Sequence, residues 1–250
     1  MSSQTTLSPL PRTLVVGASS GIGRCLARQL LARGCEVIAV ARRGALLEDL
    51  RGSAGAARLH LRVCDTSSSE EVNALSNELR ARGLPPELLI LNAGIGRLEE
   101  CSEISVRGHR AVFEVNYFGP LRWVESWLEP QVPRSFVAVS SLMAFFSSAG
   151  ASAYGASKAA LSSAFESLAL SHATQGQRFV LVHPGPVDTA MLKSPRPLPF
   201  TWSPERAAER ILDGIFAGRP QIDFCWPYTW VAKGFRLLPA RARRALLARK

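Results

Sequence analysis

The sequence predicts an α/β fold: a single doubly wound domain in which one parallel sheet carries helices on both faces. Three observations predict it. Short apolar runs alternate with stretches of helical period, the runs are apolar throughout, and a glycine-rich turn follows the first of them. Strands buried on both faces read in that way, whereas a half-exposed sheet would alternate apolar with polar residues.

Arg12 to Val16 is the first strand, and Ile22, Leu26, Ala27, Leu30 and Leu31 follow it at helical spacing. Gly34 stops that helix, Glu36 to Ala41 is a second strand, and Gly44 to Leu50 turns helical again. Leu59 to Val63 and Leu88 to Leu91 are two more strands, separated by a helix around Glu70 to Arg80. A strand over Phe136 to Val139, a long helix over Tyr154 to Ser171 and a strand over Arg178 to Val182 complete the alternation. No internal repeat or linker divides the 250 residues, so one domain is expected. Within it, residues 1–11 read as a flexible Ser/Thr/Pro-rich start, 189–203 as a loop, and 231–250 as a basic tail. The alternation of Pro195, Pro197 and Pro199 bars that loop from helix and central strand.

A chain that is 47% hydrophobic and 20% charged is neither disordered nor collagenous. Its net charge of +10 is concentrated, because residues 231–250 hold seven basic side chains and no acid. A basic tail points to a local contact and not to a nucleic-acid-binding face, so no nucleic acid is expected. The five cysteines are odd in number and never in C-x-x-C spacing, which suggests neither disulfides nor zinc and fits a reducing, cytoplasmic setting. His60, His109, His172 and His183 show no ligand spacing; no metal is expected, and they read as surface or packing residues. Neither a signal-like start nor a run of about 18 apolar residues occurs, so no leader and no membrane span are expected.

Gly17-Ala18-Ser19-Ser20-Gly21-Ile22-Gly23 lies where the first strand meets the first helix. Glycines there let backbone approach a pyrophosphate that faces the helix N-terminus, so a dinucleotide site is expected. At the end of the second strand, where an NAD site would use an acid on the ribose, the chain has Arg42 and Arg43. A guanidinium can grip a ribose 2′-phosphate, so NADP(H) is expected in preference to NAD(H).

Further landmarks are Cys64-Asp65, Asn92-Ala93-Gly94, Asn116, Ser140-Ser141, Tyr154-Gly155-Ala156-Ser157-Lys158 and Pro184-Gly185. In this order and spacing, with the glycine turn, the chain resembles the classical short-chain dehydrogenases/reductases over nearly its whole length. Val16 departs from the threonine usual in that family. The resemblance implies a Rossmann domain and an NAD(P)-dependent oxidoreductase, commonly a homodimer or homotetramer. It also implies that Lys158 holds the nicotinamide ribose, that Asn116 holds a water in the proton path, and that Asp65 accepts from the adenine amine. Gly17, Ser19, Ser20, Gly21, Ile22 and Gly23 would meet the phosphates, Asn92, Ala93 and Gly94 the adenine ribose, and Pro184, Gly185, Val187 and Thr189 the nicotinamide.

The residues themselves support a chemistry. Tyr154 and Lys158 stand four apart on a helix, hence on one face, where an ammonium favours the phenolate. Tyr154 is the expected general acid/base, and Ser141 is expected to anchor the carbonyl oxygen.

The substrate side is expected at Ser141, Met143, Phe145, Tyr154, Pro186 and Met191, walls that are apolar and suit a hydrophobic ketone or aldehyde and its alcohol. A 3-oxoacyl reductase acting on carrier-protein or CoA thioesters is an alternative, and a non-catalytic dinucleotide sensor or assembly subunit is the rival from another class. The tail mixes Trp230, Phe235, Leu237 and Leu238 with arginines, which suits an anionic membrane surface at the cell periphery, an acidic partner or a neighbouring subunit. Pro239 leaves each half of it short, which favours packing or oligomer contact.

Overall fold

The computed structural model describes residues 10–53, 58–96, 105–146, 150–172, 174–192, 198–237, 239 and 241–242. Seven strands form one sheet: β1 (Thr13–Val16), β2 (Val37–Ala41), β3 (Leu59–Val63), β4 (Leu88–Leu91), β5 (Arg134–Val139), β6 (Gln177–His183) and β7 (Gln221–Asp223). Their order is β3-β2-β1-β4-β5-β6-β7 and every pairing is parallel. The chain reverses direction across the sheet between β1 and β4, where Val16 pairs with Val40 on one side and Leu91 on the other. In open parallel sheets the crevice beyond such a point receives the ligand.

Because side chains alternate across a strand, the apolar runs serve two cores. Val15, Val37, Ala39, Ile90, Val137 and Val180 pack on one face under α1 (Gly21–Ala32) and α7 (Pro204–Phe216), through Leu26, Leu30, Ile211 and Ile215. Leu14, Ile38, Leu89, Phe136 and Phe179 pack on the other under α3 (Ser69–Ala81), α5 (Gly119–Trp127) and α6 (Ser152–Ser171), through Leu75, Leu79, Trp123, Trp127 and Phe165. The helix starts follow local chemistry. Ser68 accepts a hydrogen bond from the Glu71 amide at 3.2 Å to cap α3, and Ser203 accepts from the Arg206 amide to cap α7, with Pro204 at its first position. Gly34, at φ +90°, takes the left-handed conformation that ends α1.

The doubly wound sheet stands as expected, and several boundaries move. Gly44 to Leu50 divides into a short α2 (Gly44–Leu47) and a 3₁₀ stretch (Glu48–Ser53). β6 runs on through His183, and α6 begins two residues before Tyr154. Elements that periodicity did not reveal are α4 (Val106–Phe113), a π-helical turn (Glu114–Phe118), α5, α7, β7 and α8 (Trp226–Leu237). Residues 1–9 lie outside the described residues, and Pro11, grouped with the flexible start by its composition, is buried, its carbonyl accepting from Thr13 Oγ1 at 3.0 Å. In the 189–203 loop, Pro195 and Pro197 lie outside the described residues, whereas Trp202 is bridged to Val187. The start of the basic tail belongs to α8, and residues 243–250 lie outside the described residues.

His183, expected at the surface or in packing, is fully buried and hydrogen-bonded on both ring nitrogens. Cys25, Cys35, Cys64 and Cys225 are buried and unpaired, and burial pushes their thiols up, to about 11 for Cys25 and Cys225 and about 12 for Cys64. Among the described residues no helix is long and apolar enough to cross a membrane.

Phe136 is fully buried and stacks on Phe179 with ring centroids 5.1 Å apart. Phe136→Ala is expected to lower the unfolding free energy by about 3–5 kcal/mol, read from the urea midpoint at unchanged m-value.

Candidate active site

The glycine turn is shaped by contact. Gly17, at φ +85°, donates its amide to Val40 O at 2.8 Å, and a Cβ there would stand 2.7 Å from Ala93 Cα. A Cβ on Gly23 would collide with the Gly17 carbonyl, so glycine at both points lets α1 start directly over β1. Asn92 ties the turn to β4, its Nδ2 donating to Gly17 O at 3.2 Å. The Ser20 hydroxyl, at the N-cap of α1, accepts from no backbone amide of the first turn. Instead Ser19 Oγ and Ser20 Oγ accept from Arg43 Nη2 at 3.0 and 2.8 Å. A helix N-terminus open at its first turn and ringed by a guanidinium and two hydroxyls fits the phosphates of a dinucleotide.

Arg42 leans the other way. It is largely exposed, and its Nη1 stands 3.5 Å from Asp65 Oδ2. Partial burial pushes the Asp65 carboxyl up, but the Ser67 hydroxyl and amide, at 2.7 and 2.9 Å, and the Arg42 charge hold it below its ordinary value. Of the two arginines, Arg43 reaches the glycine turn and Arg42 borders the adjoining acid.

Past the reversal point the other expected residues gather. Ser141 follows β5 and caps a 3₁₀ turn (Leu142–Ala144), its Oγ accepting from the Met143 amide at 3.2 Å. Its hydroxyl also bonds with that of Tyr154. One turn along α6, Lys158 is 3% exposed; its Nζ donates to Val139 O at 2.8 Å and lies 5.9 Å from the Tyr154 ring centroid. Burial brings the Lys158 ammonium down to about 8. Burial also raises Tyr154, and the Ser141 hydrogen bond only partly offsets it. Desolvation leads for both groups and favours the neutral form of each, against the lowering of the phenol expected from its lysine.

Asn116 arrives by the π-helical turn between α4 and α5, an irregularity common at functional sites. Fully buried, it donates from Nδ2 to Ile95 O at 2.9 Å and to Ser157 Oγ at 3.1 Å, and Oδ1 accepts from the Ile95 amide at 2.8 Å. Ser157 in turn donates to Tyr154 O at 2.7 Å, binding the π turn to the start of α6. Ser157 was not among the expected site residues, although its place inside the Tyr154-to-Lys158 spacing marked it. Gly94 faces both groups, since a Cβ on it would lie 3.4 Å from Asn116 Oδ1 and 3.5 Å from Lys158 Nζ.

The segment after β6 closes the crevice. Pro184 O accepts from the Leu142 amide at 3.1 Å, and Trp202 donates its amide to Pro186 O at 3.0 Å. Gly185 packs so closely on Cys225 that a Cβ would stand 2.6 Å from the cysteine Cβ. Val187 is buried, while the methyl of Thr189 comes within 3.1 Å of a Cβ placed on Gly21, across the mouth of the glycine turn. Met191 is exposed and lies over Gly96, and Met143 lies beside Gly155. Phe145 packs on the His183 ring, centroids 4.7 Å apart.

The site thus sets a hydroxyl pair, a buried amine and a buried amide at one end of a crevice and an anion-binding turn at the other. Comparisons with known proteins identify the family. The family described as short chain dehydrogenase matches residues 12–197. The chain is 33% identical over 246 residues to an uncharacterized oxidoreductase of Myxococcus xanthus, covering 92% of this chain and 96% of that one. It is 33% identical over 193 residues to retinol dehydrogenase 8 of Bos taurus, covering 73% of this chain but 61% of the bovine protein. Among solved structures, a short chain dehydrogenase from Burkholderia cenocepacia J2315 in complex with NADP superposes with a TM-score of 0.82 at 26% identity, over 99% of this chain and all of that one. The chain belongs to the short chain dehydrogenases and is an NAD(P)-dependent oxidoreductase of that family.

Proposed function

We propose that this enzyme uses NADP(H) to interconvert a hydrophobic ketone or aldehyde and its alcohol. The observation that carries the reading is the meeting of Ser141, Tyr154, Lys158 and Asn116 at the carboxyl edge of the sheet, in the same crevice as the Arg43, Ser19 and Ser20 cluster. Bound NADP(H) supplies or accepts the hydride. Ser141 holds the carbonyl oxygen, and Tyr154 gives that oxygen its proton. Burial favours the protonated phenol, the form that donates in the direction of reduction. Lys158, titrating near neutrality, binds a ribose hydroxyl and draws the phenol toward ionisation when oxidation requires a base. Asn116 keeps the Ile95 backbone in place above it.

Arg43 grips the ribose 2′-phosphate with the two serine hydroxyls, and Arg42 flanks it. The glycine turn from Gly17 to Gly23 receives the pyrophosphate, Asp65 and Asn92 to Gly94 the adenosine, and Pro184, Gly185, Val187 and Thr189 the nicotinamide. Met143, Pro186 and Met191 wall the substrate, while Phe145 backs that wall through His183. The same reading takes all 250 residues as one domain acting as a cytoplasmic dimer or tetramer, with 189–203 as the substrate lid and the basic tail as a contact surface. Retinal is the first probe, as an apolar aldehyde of the kind named by the bovine relative.

Tyr154→Phe is expected to cut NADPH-dependent retinal reduction by roughly 10²–10⁴-fold while leaving NADPH binding, followed by nicotinamide fluorescence, within about threefold of the parent. Retained turnover in that variant would remove the tyrosine from the mechanism, and absent NADPH binding in the parent would favour the sensor reading.

Arg43→Ala is expected to weaken NADPH binding by about 10- to 100-fold, the worth of a charge-assisted contact, with little change for NADH. Equal losses for both cofactors would assign Arg43 to shaping the turn alone.

Lys158 is brought from an ordinary value of 10.5 to about 8, so the fold bears the cost of a buried ammonium in full below pH 8 and sheds it as pH rises toward 10.5. The stability of the parent relative to Lys158→Met should therefore rise with pH across that window, as thermal midpoints at matched pH will show; a flat difference would place the lysine in solvent.

A further inference from the structure

A row of buried polar groups runs from the sheet edge to the catalytic helix. Asp223, the last residue of β7, meets His183 Nδ1 at 2.9 Å. His183 Nε2 lies 3.1 Å from Ser162 Oγ, which lies 2.8 Å from Ser140 Oγ. Ser140 donates to the backbone carbonyl of Lys158 at 3.0 Å. Ser140 adjoins Ser141, and Ser162 stands one helical turn beyond Lys158, so both ends of the row abut residues of the site.

The Lys158 carbonyl can only accept, so the Ser140 hydroxyl donates to it and ties the end of β5 to α6. Gln221 Nε2 donates to both Asp223 oxygens, at 3.0 and 2.9 Å, and holds that carboxyl against the His183 ring. An Asp, His, Ser order is also that of nucleophilic triads, but Ser162 is 6% exposed and hydrogen-bonded on both sides, with no approach for a carbonyl carbon.

We infer that His183, paired with Asp223, is a positioning residue: through Ser162 and Ser140 it locks the strand end that carries Ser141 onto the turn of α6 that carries Lys158. Among the described residues, the groups around the ring are Asp223 on β7, Ser162 on α6 with the Lys158 ammonium one turn away, Ser140 after β5, and the uncharged Phe145 ring. The inference deepens the reductase reading and rests on it.

The test uses the full chain in two arms. In the first, which needs no turnover, carbon spectra of the lysines are followed against pH. His183→Ala and Ser140→Ala should each displace the Lys158 midpoint by roughly half a pH unit or more with the amide spectrum otherwise native. An unmoved lysine overturns the inference. In the second arm, NADPH-dependent retinal reduction should fall about tenfold in kcat for His183→Ala and for Ser140→Ala, and no further in the double variant. The pair His183→Gln with Asp223→Asn rebuilds the row from two amides, and should recover most of kcat. Additive losses, or lowered melting temperatures with kcat and pH profile unchanged, would reduce the row to ordinary packing. A parent that binds NADPH yet leaves retinal untouched counts against the substrate reading alone, and the spectra still decide the inference.

Discussion

Parallel pairing governs this molecule. Because all seven strands run the same way, each delivers its carboxyl end to one edge of the sheet, and the residues just beyond β1, β2, β4, β5 and β6 meet there whatever their distance in sequence. The glycine turn, the arginines, Asn92, the serine pair and Pro184 are all such residues. Parallel strands need crossovers, and the crossover helices bring the rest: α6 carries Tyr154 and Lys158 back across the end of β5, and the π turn ahead of α5 carries Asn116.

The same closeness sets the electrostatics. For the amine and the phenol, loss of solvent is the leading influence on the proton. The carbonyl of Val139 is the Lys158 ammonium's hydrogen-bond acceptor, and it is a weak substitute for solvent. The amine therefore titrates near neutrality, where its proton can be held or released at little cost, while the phenol stays neutral until something adds charge beside it.

Much of this was legible in the sequence, for identifiable reasons. The strands were readable because burial on both faces forces unbroken apolar runs, as in Val37 to Ala41, and the glycine turn was readable because Gly17 and Gly23 admit no side chain. Tyr154 and Lys158 were readable from helical period alone. The π turn was not, since one extra residue in a helix leaves no compositional trace. Nor was the division of labour between Arg42 and Arg43, which depends on side-chain direction at the end of β2. His183, expected at the surface or in packing, is of the second kind, and its partners, 21 and 40 residues away on other elements, lie beyond the reach of spacing. The expected lowering of Tyr154 failed for a related reason, as spacing reports proximity of charge but not the loss of water around it.

The buried thiols have a consequence for a protein that handles reducing equivalents. Cys25, Cys35, Cys64 and Cys225 are each shielded and held protonated, and it is the thiolate that attacks peroxides and disulfides. These four thiols are therefore poor reaction partners for oxidants, and oxidant stress in the surroundings would be felt through the supply of reduced dinucleotide and not through damage to them.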